Sequence, residues 1–301
     1  MKIISICICT RKRQEGLKLL LESIENLEVP PETDVRIIIV ENDTEKFSEN
    51  TINEFSSKSK FKISHYLEPR QGIVYARNRS VKEADGSDFC CFTDDDQKVA
   101  QDWLIELVRC QIEFDSDGVS GLTPPVFTSE VPAYIKHFHT RNTYQYGKIL
   151  KSANTGCLLI RKKYLDLIDG PFDLRLNFTG GEDNYLTTNI TKMGGVIRYN
   201  PKAISSEIIP ESRTTIKFII KRTFRISNTL IFLESLRDRN FSKLKTAPRL
   251  VMRLLFGLFI VIPYLIFGGS NRLEGLIKIC RAIGGFSFIL GRTNQFYKGS
   301  N

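Results

Sequence analysis

The sequence lacks several of the features that would settle its class at once. Its seven cysteines are an odd number, and none are spaced Cys-x-x-Cys, so neither a zinc ribbon, a dithiol redox motif nor a disulfide framework is indicated. They lie mostly inside apolar runs and are expected to be small buried hydrophobes in a reducing compartment. The N-terminus, MKIISICICTRKR, has no long apolar region and no small-residue cleavage site, so no export signal is expected there. Zinc-finger spacing, an aromatic sheet signature and a basic heptad run are all missing, which leaves a nucleic-acid reading without a module to carry it. Internal repeats and low-complexity tracts are missing too. With 42% hydrophobic and 26% charged residues the chain has the composition of a folded protein, and its 301 residues allow one large domain or a domain with an appendage.

Acid is scarce in one place only. The net charge is +9, yet residues 213–301 carry sixteen Lys and Arg against three Asp and Glu, leaving 27 against 31 in residues 1–212. The basic excess is interleaved with Phe, Ile and Leu, as in TIKFIIKRTFRISNTLIFLESL and RLLFGLFIVIPYLIF, a pattern that suits an anionic membrane surface rather than nucleic acid. The most apolar stretch lies among the 18 residues between Arg253 and Arg272. It contains Pro263 and ends in GGSN, so it falls short of the roughly 20 apolar residues a spanning helix needs. An in-plane helix, a shallow hairpin over 254–268 and a buried core helix all remain open.

Over the first hundred residues strands and helices alternate. KIISICIC, DVRIIIV, FKISHY and SDFCCFT are β-branched or apolar runs. Between them lie a helix over Glu15–Leu27, a polar helix or loop behind ENDTEK, and a helix over Gly72–Ala84. An α/β sheet covered by helices follows, with ligands expected beyond the strand C-termini, where ENDTEK and TDDDQ lie. Asp102 is a candidate N-cap for WLIELVRCQIEF. Residues 127–150 show no periodicity and are expected to be a long loop. NTGCLLIRKKYLDLI reads as strand then helix, NYLTTNITKMG as a helix, and VIRYNPKAISSE as two short strands around Pro201. Helices with apolar faces and basic edges follow from Arg213.

Three consecutive aspartates, Asp94, Asp95 and Asp96, end the fourth strand. They are compatible with a solvated turn, with helix capping or with a hard-cation site, since Mg²⁺ and Mn²⁺ take carboxylate oxygens and keep positions for substrate phosphates. A second acidic element, GGEDNYL, sets Glu182 and Asp183 after two glycines at a helix start, where the helix macrodipole alone would favour acids. Together the two elements are what sugar transfer from a nucleotide diphosphate requires: one site for a cation on the leaving diphosphate, another to take the proton of the attacking hydroxyl.

The sequence resembles the family 2 glycosyltransferases, of GT-A fold, from about Lys2 to about Phe224. The resemblance rests on IISICICTRKR, IIIVENDT, GIVYARNRSV, FCCFTDDDQKVAQDWL and GPFDLRLNFTGGEDNYL in that order. IIPESRTTIKFIIKRTFR further resembles the bacterial exopolysaccharide- and lipopolysaccharide-building type. The resemblance implies a Rossmann-like mixed sheet flanked by helices, with residues 1–100 a nucleotide-binding half and 101–212 an acceptor half of the catalytic domain. Residues 213–301 would be a helical membrane-associating region.

It implies an inverting hexosyltransferase with Asp183 as general base and Glu182 beside it. Thr10, Arg11, Glu41, Arg77, Asn78 and Asp94 would meet the nucleotide sugar, with Glu41 where the family usually has Asp. Asp96 and Asp94 would hold Mg²⁺ or Mn²⁺, with Glu207, where relatives often carry His, associated with the metal; Asp95 is a spacer without a task. Cys157 stands where a polar residue is expected. His137 and His139 are set aside as structural, and Arg213, Lys221, Arg222 and Arg225 would meet a diphosphate, lipid headgroups or only solvent. The implied partners are a UDP-linked donor, a saccharide or lipid-linked saccharide acceptor and anionic lipids at the cytoplasmic face of the bacterial inner membrane, held peripherally or monotopically. A nucleotidyltransferase acting on sugar phosphates is the nearest rival, but CTRKRQEG supplies no Gly-rich phosphate loop. An inactive membrane-bound saccharide-binding scaffold is the other.

Overall fold

The computed structural model describes residues 1–238, 240–267 and 272–293, with side chains masked at 263–267 and 272. The chain divides into two compact units, Met1–Asn177 with Glu182–Ile209, and Phe178–Gly181 with Pro210–Asn301.

In the first unit the elements run β1 (Lys2–Thr10), α1 (Gln14–Glu25), β2 (Thr33–Glu41), α2 (Glu49–Ser56), β3 (Lys62–Leu67), α3 (Ile73–Glu83), β4 (Phe89–Asp94), β5 (Gln97–Val99) and α4 (Trp103–Glu113). They continue with β6 (Gly118–Leu122), β7 (Pro125–Phe127), α5 (Ala133–His139), β8 (Ile149–Leu150), β9 (Leu158–Arg161), α6 (Lys162–Asp166), α7 (Glu182–Lys192) and β10 (Ile197–Ile209). The sheet order is β3-β2-β1-β4-β9-β6-β10-β5, with β7 and β8 also on β10. Its first four strands are parallel, and β9 enters antiparallel between β4 and β6.

The period-two alternation of β1 decides what covers each face. Ile4, Ile6 and Ile8 point to the side where Leu17, Leu20, Leu21 and Ile24 of α1 and Trp103, Leu104 and Leu107 of α4 complete one core. Cys7 points to the other, with Val74 and Ala76 of α3, Phe172, and Leu186 and Ile190 of α7. Helices on both faces are what buried parallel strands need. The cysteines are free, and all but Cys9 and Cys280 are buried, as their apolar settings suggested.

Several local expectations are corrected. Residues 127–150 are not a plain loop: α5 and β8 lie within them, and Ile135 and His139 of α5 are buried. A helix of seven residues is too short to show a clear period. The two strands expected around Pro201 are one, β10, whose pairing with β6 shifts register between Asn200 and Ile204. Proline, lacking an N–H, is accommodated at that irregularity instead of ending the strand. Asp102 occupies the N-cap position of α4 but its side chain makes no capping bond there. The polar segment behind ENDTEK is a helix, α2.

The second unit contains α8 (Ile216–Arg237), α9 (Lys243–Phe267) and α10 (Arg272–Ile289). Thr215 caps α8 by accepting the Phe218 N–H at 3.2 Å. Glycines let α10 approach its neighbours: a Cβ on Gly284 would lie 2.3 Å from the Phe224 carbonyl oxygen of α8, and one on Gly275 would lie 2.2 Å from Val261 of α9. The apolar stretch is therefore part of a continuous helix through Phe267, not a hairpin, while residues 268–271 lie outside the described residues. Among the described residues no helix is long and apolar enough to cross a membrane.

Candidate active site

Parallel register sets the ends of three strands side by side. Thr10 pairs with Glu41, and Cys9 with Asp94, so β1, β2 and β4 deliver their polar termini to one edge of the sheet. The aspartate turn there is braced by Gln97, which is almost fully buried. Its Oε1 accepts from the Thr93 hydroxyl at 2.8 Å, the Asp94 N–H at 3.0 Å and the Ser205 hydroxyl at 3.0 Å.

So braced, the three carboxylates diverge. Asp95 is buried and accepts from the Thr10 hydroxyl at 2.9 Å and from Arg13 Nη1 at 2.9 Å. Burial pushes its carboxyl up to about 6, against the pull of Arg13. Asp96 takes a 3.3 Å bond from the same Arg13, and Asp94 receives Arg77 Nη2 at 3.1 Å. Asp95 is thus no idle spacer: it ties the turn to the end of β1. The backbone of α1 comes so close that a Cβ on Gly16 would lie 2.5 Å from the Asp95 carbonyl oxygen. A lone glycine in the apolar-periodic EGLKLLL was the signal for that approach.

Arg77 is buried on α3 and links the two acidic elements, bonding Asp94 on one side and Glu182 on the other. Burial works against its charge, but Glu182 and Asp94 more than offset this and raise its pKa. Its guanidinium also lies 5.7 Å from the centre of the Phe172 ring. Two asparagines fix α3. Asn177 accepts the Val74 N–H at 3.1 Å, supplying from a distance the cap that Gly72 cannot, and Asn42 accepts the Gly72 N–H at 2.7 Å. Gly72 has φ +128°, and a Cβ there would overlap the Asn177 amide, so glycine is required on both counts.

Gly180 and Gly181, with φ of +80° and +87°, turn the chain into α7, whose first turn holds Glu182 and Asp183. Glu182 is enclosed, and among the described residues its Oε2 has no hydrogen-bond partner. Burial pushes its carboxyl up to about 7, with Arg77 lowering it and Asp183 raising it. Asp183 is half-buried; its Oδ1 accepts the Asn184 N–H at 2.6 Å.

The raised Glu182 value has a consequence for stability. A carboxyl that titrates near 7 in the fold and near 4.5 when unfolded binds its proton more tightly in the native state, so its contribution is largest below 4.5 and is lost as pH rises to about 7. Urea unfolding of the protein and of Glu182→Gln across that window is expected to show the variant's stability falling less steeply. A pH-independent difference between the two would contradict this.

Several residues expected at the site are held by partners within the protein. Glu41 is fully enclosed and accepts from the Ser48 N–H and hydroxyl (3.1 and 3.0 Å), with His65 Nε2 at 3.2 Å. Its longer side chain folds back to hold the start of α2. Asn78 is also held within the protein: its amide donates to the Phe172 carbonyl at 2.8 Å and accepts the Phe172 N–H at 2.9 Å, pinning that loop beside Arg77. Arg11 lies 3.7 Å from Asp43, joining the β1 and β2 ends.

Glu207 stands opposite Gln97 on β10 and accepts from Arg141 at 3.2 Å. Cys157 is core, accepting the Trp103 indole N–H at 3.0 Å. His139 packs edge-on against Phe127 and Phe138. Arg213, Lys221, Arg222 and Arg225 belong to the second unit.

Among the described residues no group of three or more His, Cys, Asp or Glu is arranged to hold a metal. Mg²⁺ or Mn²⁺ arriving with a diphosphate needs only one or two carboxylates from the protein, and such ions take oxygen ligands. Asp94 and Asp96 meet that need: their side chains are 40% and 22% exposed and adjacent on one turn.

The site is thus an α/β sheet edge with acidic strand ends joined by a buried arginine to a second acidic pair, and comparison with known proteins gives the family. Residues 5–168 match the model of Glycosyl transferase family 2, and the chain belongs to that family. It is 30% identical over 229 residues to the succinoglycan biosynthesis protein ExoM of Rhizobium meliloti (strain 1021), spanning 75% of this chain and 73% of that protein. Similar solved structures include the mannosyltransferase PcManGT from Pyrobaculum calidifontis in complex with GDP-Man and Mn²⁺, with TM-score 0.63 and 15% identity over 94% of this chain and 86% of that one. S. aureus TarS 1–349 in complex with UDP-GlcNAc has TM-score 0.54 and 14% identity over 97% and 93%. At such identities these structures establish the fold, which is GT-A.

Proposed function

We propose that the protein moves a sugar from a UDP-linked donor to a saccharide or lipid-linked saccharide acceptor in bacterial surface-polysaccharide synthesis, with inversion at the anomeric carbon. The observation that carries this reading is the chain Asp94–Arg77–Glu182, with Asp183 next to it, which joins a cation-type turn to a carboxylate able to act as base. Thr10 and Arg11 border the nucleotide side, residues 1–100 serve the donor and 101–212 the acceptor. Asp183 takes the proton of the acceptor hydroxyl as its oxygen bonds the anomeric carbon and the bond to the diphosphate breaks. Glu182, locked to Arg77, fixes the orientation of the helix start that carries Asp183. Asp94 and Asp96, with Glu207 beside their turn, would hold Mg²⁺ or Mn²⁺, which supplies positive charge to the departing diphosphate.

Support also comes from the relatives: ExoM is named for succinoglycan biosynthesis, and the PcManGT complex contains a nucleotide sugar with Mn²⁺. The enzyme works peripherally or monotopically at the cytoplasmic face of the inner membrane, a reading supported by the basic excess of residues 213–301. Family membership favours this over a nucleotidyltransferase. The test is consumption of a panel of UDP- and GDP-linked sugars with and without EDTA. A UDP-sugar is expected to turn over, with loss under EDTA of about 100-fold or more, restored by Mn²⁺ or Mg²⁺, on the scale of charge stabilisation at a leaving group. Turnover indifferent to chelation would remove the role of Asp94 and Asp96; no turnover of any donor would leave the inactive scaffold.

A further inference from the structure

The second unit carries two features that the catalytic chemistry leaves unused. The first is an apolar stripe on α9: Leu244, Val251, Leu255 and Ile262 recur at intervals of seven, four and seven, Met252 and Phe259 lie beside them, and all six are exposed, Met252 by 66% and Phe259 by 74%. The opposite side of the same helix, at Leu250, Gly257 and Val261, is buried. The stripe runs about 27 Å at the 1.5 Å rise of a helix. Exposed apolar surface on this scale marks an interaction site.

The second feature is a cavity of about 380 Å³ within the unit, whose wall includes Arg237 of α8, Arg249 and Arg253 of α9, and the acids Glu234 and Asp238. Arg249 is paired with Glu234 at 2.6 Å. Arg253 has no ion pair among the described residues, and burial, then Arg281 and Arg249, lower its pKa. It is a cation short of an anion, three residues from Leu250 and four from Gly257 and so on the side of α9 away from the stripe, where the cavity lies.

We propose that α9 lies in the surface of an anionic bilayer, with the stripe among the acyl chains and a phospholipid phosphate seated in the cavity against Arg253. A second copy of the chain fits poorly on the stripe. The 25 residues of α9 include Lys243, Lys245, Arg249 and Arg253 and no acid, so two copies of the helix packed side by side would bring uncompensated like charges near one another. A layer of anionic headgroups neutralises them, and helices with an apolar face and a basic polar face bind in that plane. The length of the stripe suits a surface better than one small ligand. This extends the membrane location proposed above and adds its residues and its headgroup.

The full chain is tested by flotation with phosphatidylglycerol vesicles and with phosphatidylcholine vesicles. The wild type is expected to float with the first at least ten-fold more than with the second. Leu255→Glu with Phe259→Glu is expected to cut that binding at least ten-fold, and Arg253→Gln to reduce the preference for phosphatidylglycerol several-fold. Circular dichroism checks folding, and the single exposed change Met252→Lys, expected to lower binding several-fold, replaces the double variant if that one unfolds. Wild type that ignores both vesicles, or stripe variants that float as wild type, would overturn the proposal. So would a wild-type dimer that the stripe variants dissolve, which would make the face a self-interface. Sugar transfer to a soluble saccharide, measured on the same preparations, separates the two readings: intact transfer without flotation sinks only the lipid site, and flotation without transfer only the catalytic one.

Discussion

Asp183→Asn is expected to lower the rate of sugar transfer by about 100- to 10,000-fold, the range over which a positioned acid or base contributes. Asn keeps the size of the side chain and still accepts the Asn184 N–H, so the first turn of α7 keeps its hydrogen bond while the proton acceptor is lost. Donor binding, measured by titration with UDP, is expected to stay within a few-fold of wild type, because the interactions assigned to the nucleotide lie at the β1 and β4 ends. Full transfer activity in this variant would move the base elsewhere. Glu182 is the neighbour to suspect, but it is enclosed and held by Arg77, and a base must reach the acceptor hydroxyl.

Arg77→Met is expected to have the largest effect on the fold. Removing one member of a buried ion pair leaves the other as an uncompensated charge, at about 3–5 kcal/mol. Here the abandoned partner is Glu182, with a side chain 7% exposed, while the more open Asp94 contributes less. Some of the loss is avoided by protonating Glu182, which burial already favours and which the loss of Arg77 favours further, so the deficit is expected to shrink as pH falls towards about 7 and to level off below it. Urea unfolding at neutral pH measures the loss, and the double variant Arg77→Met with Glu182→Gln is expected to recover part of it because the two sites share one interaction. Arg77→Lys is expected to fall between, since a single ammonium cannot fork to carboxylates on two elements. A loss below 1 kcal/mol in Arg77→Met would mean that the pair does not organise the site.

Much of this site is legible in the sequence because strand ends and helix starts advertise themselves. DVRIIIV and SDFCCFT stop at polar clusters, and parallel pairing then has to bring those clusters together. What the sequence hides is direction. Three aspartates in a row look equivalent, yet the turn sends Asp95 inward to Thr10 and Arg13 and leaves Asp94 to Arg77; only the partner across the sheet distinguishes them. Glu41 shows the same limit, since the extra methylene that carries it back to Ser48 is visible in the sequence but its destination is not. The contacts of Asn177 and Asn42 span 103 and 30 positions along the chain, beyond any local pattern. The helix α5 and the continuity of β10 across Pro201 are hidden for a different reason, because short elements and a proline inside a strand leave no regular period to detect.

The central claim is that the carboxylates joined through Arg77 transfer a glycosyl group with inversion. Its most direct test is proton NMR of the saccharide formed from an α-linked UDP-sugar, read at the anomeric coupling within the first turnovers. A β-linked product is expected. An α-linked product, or a nucleotidyl group found on the acceptor, would contradict it.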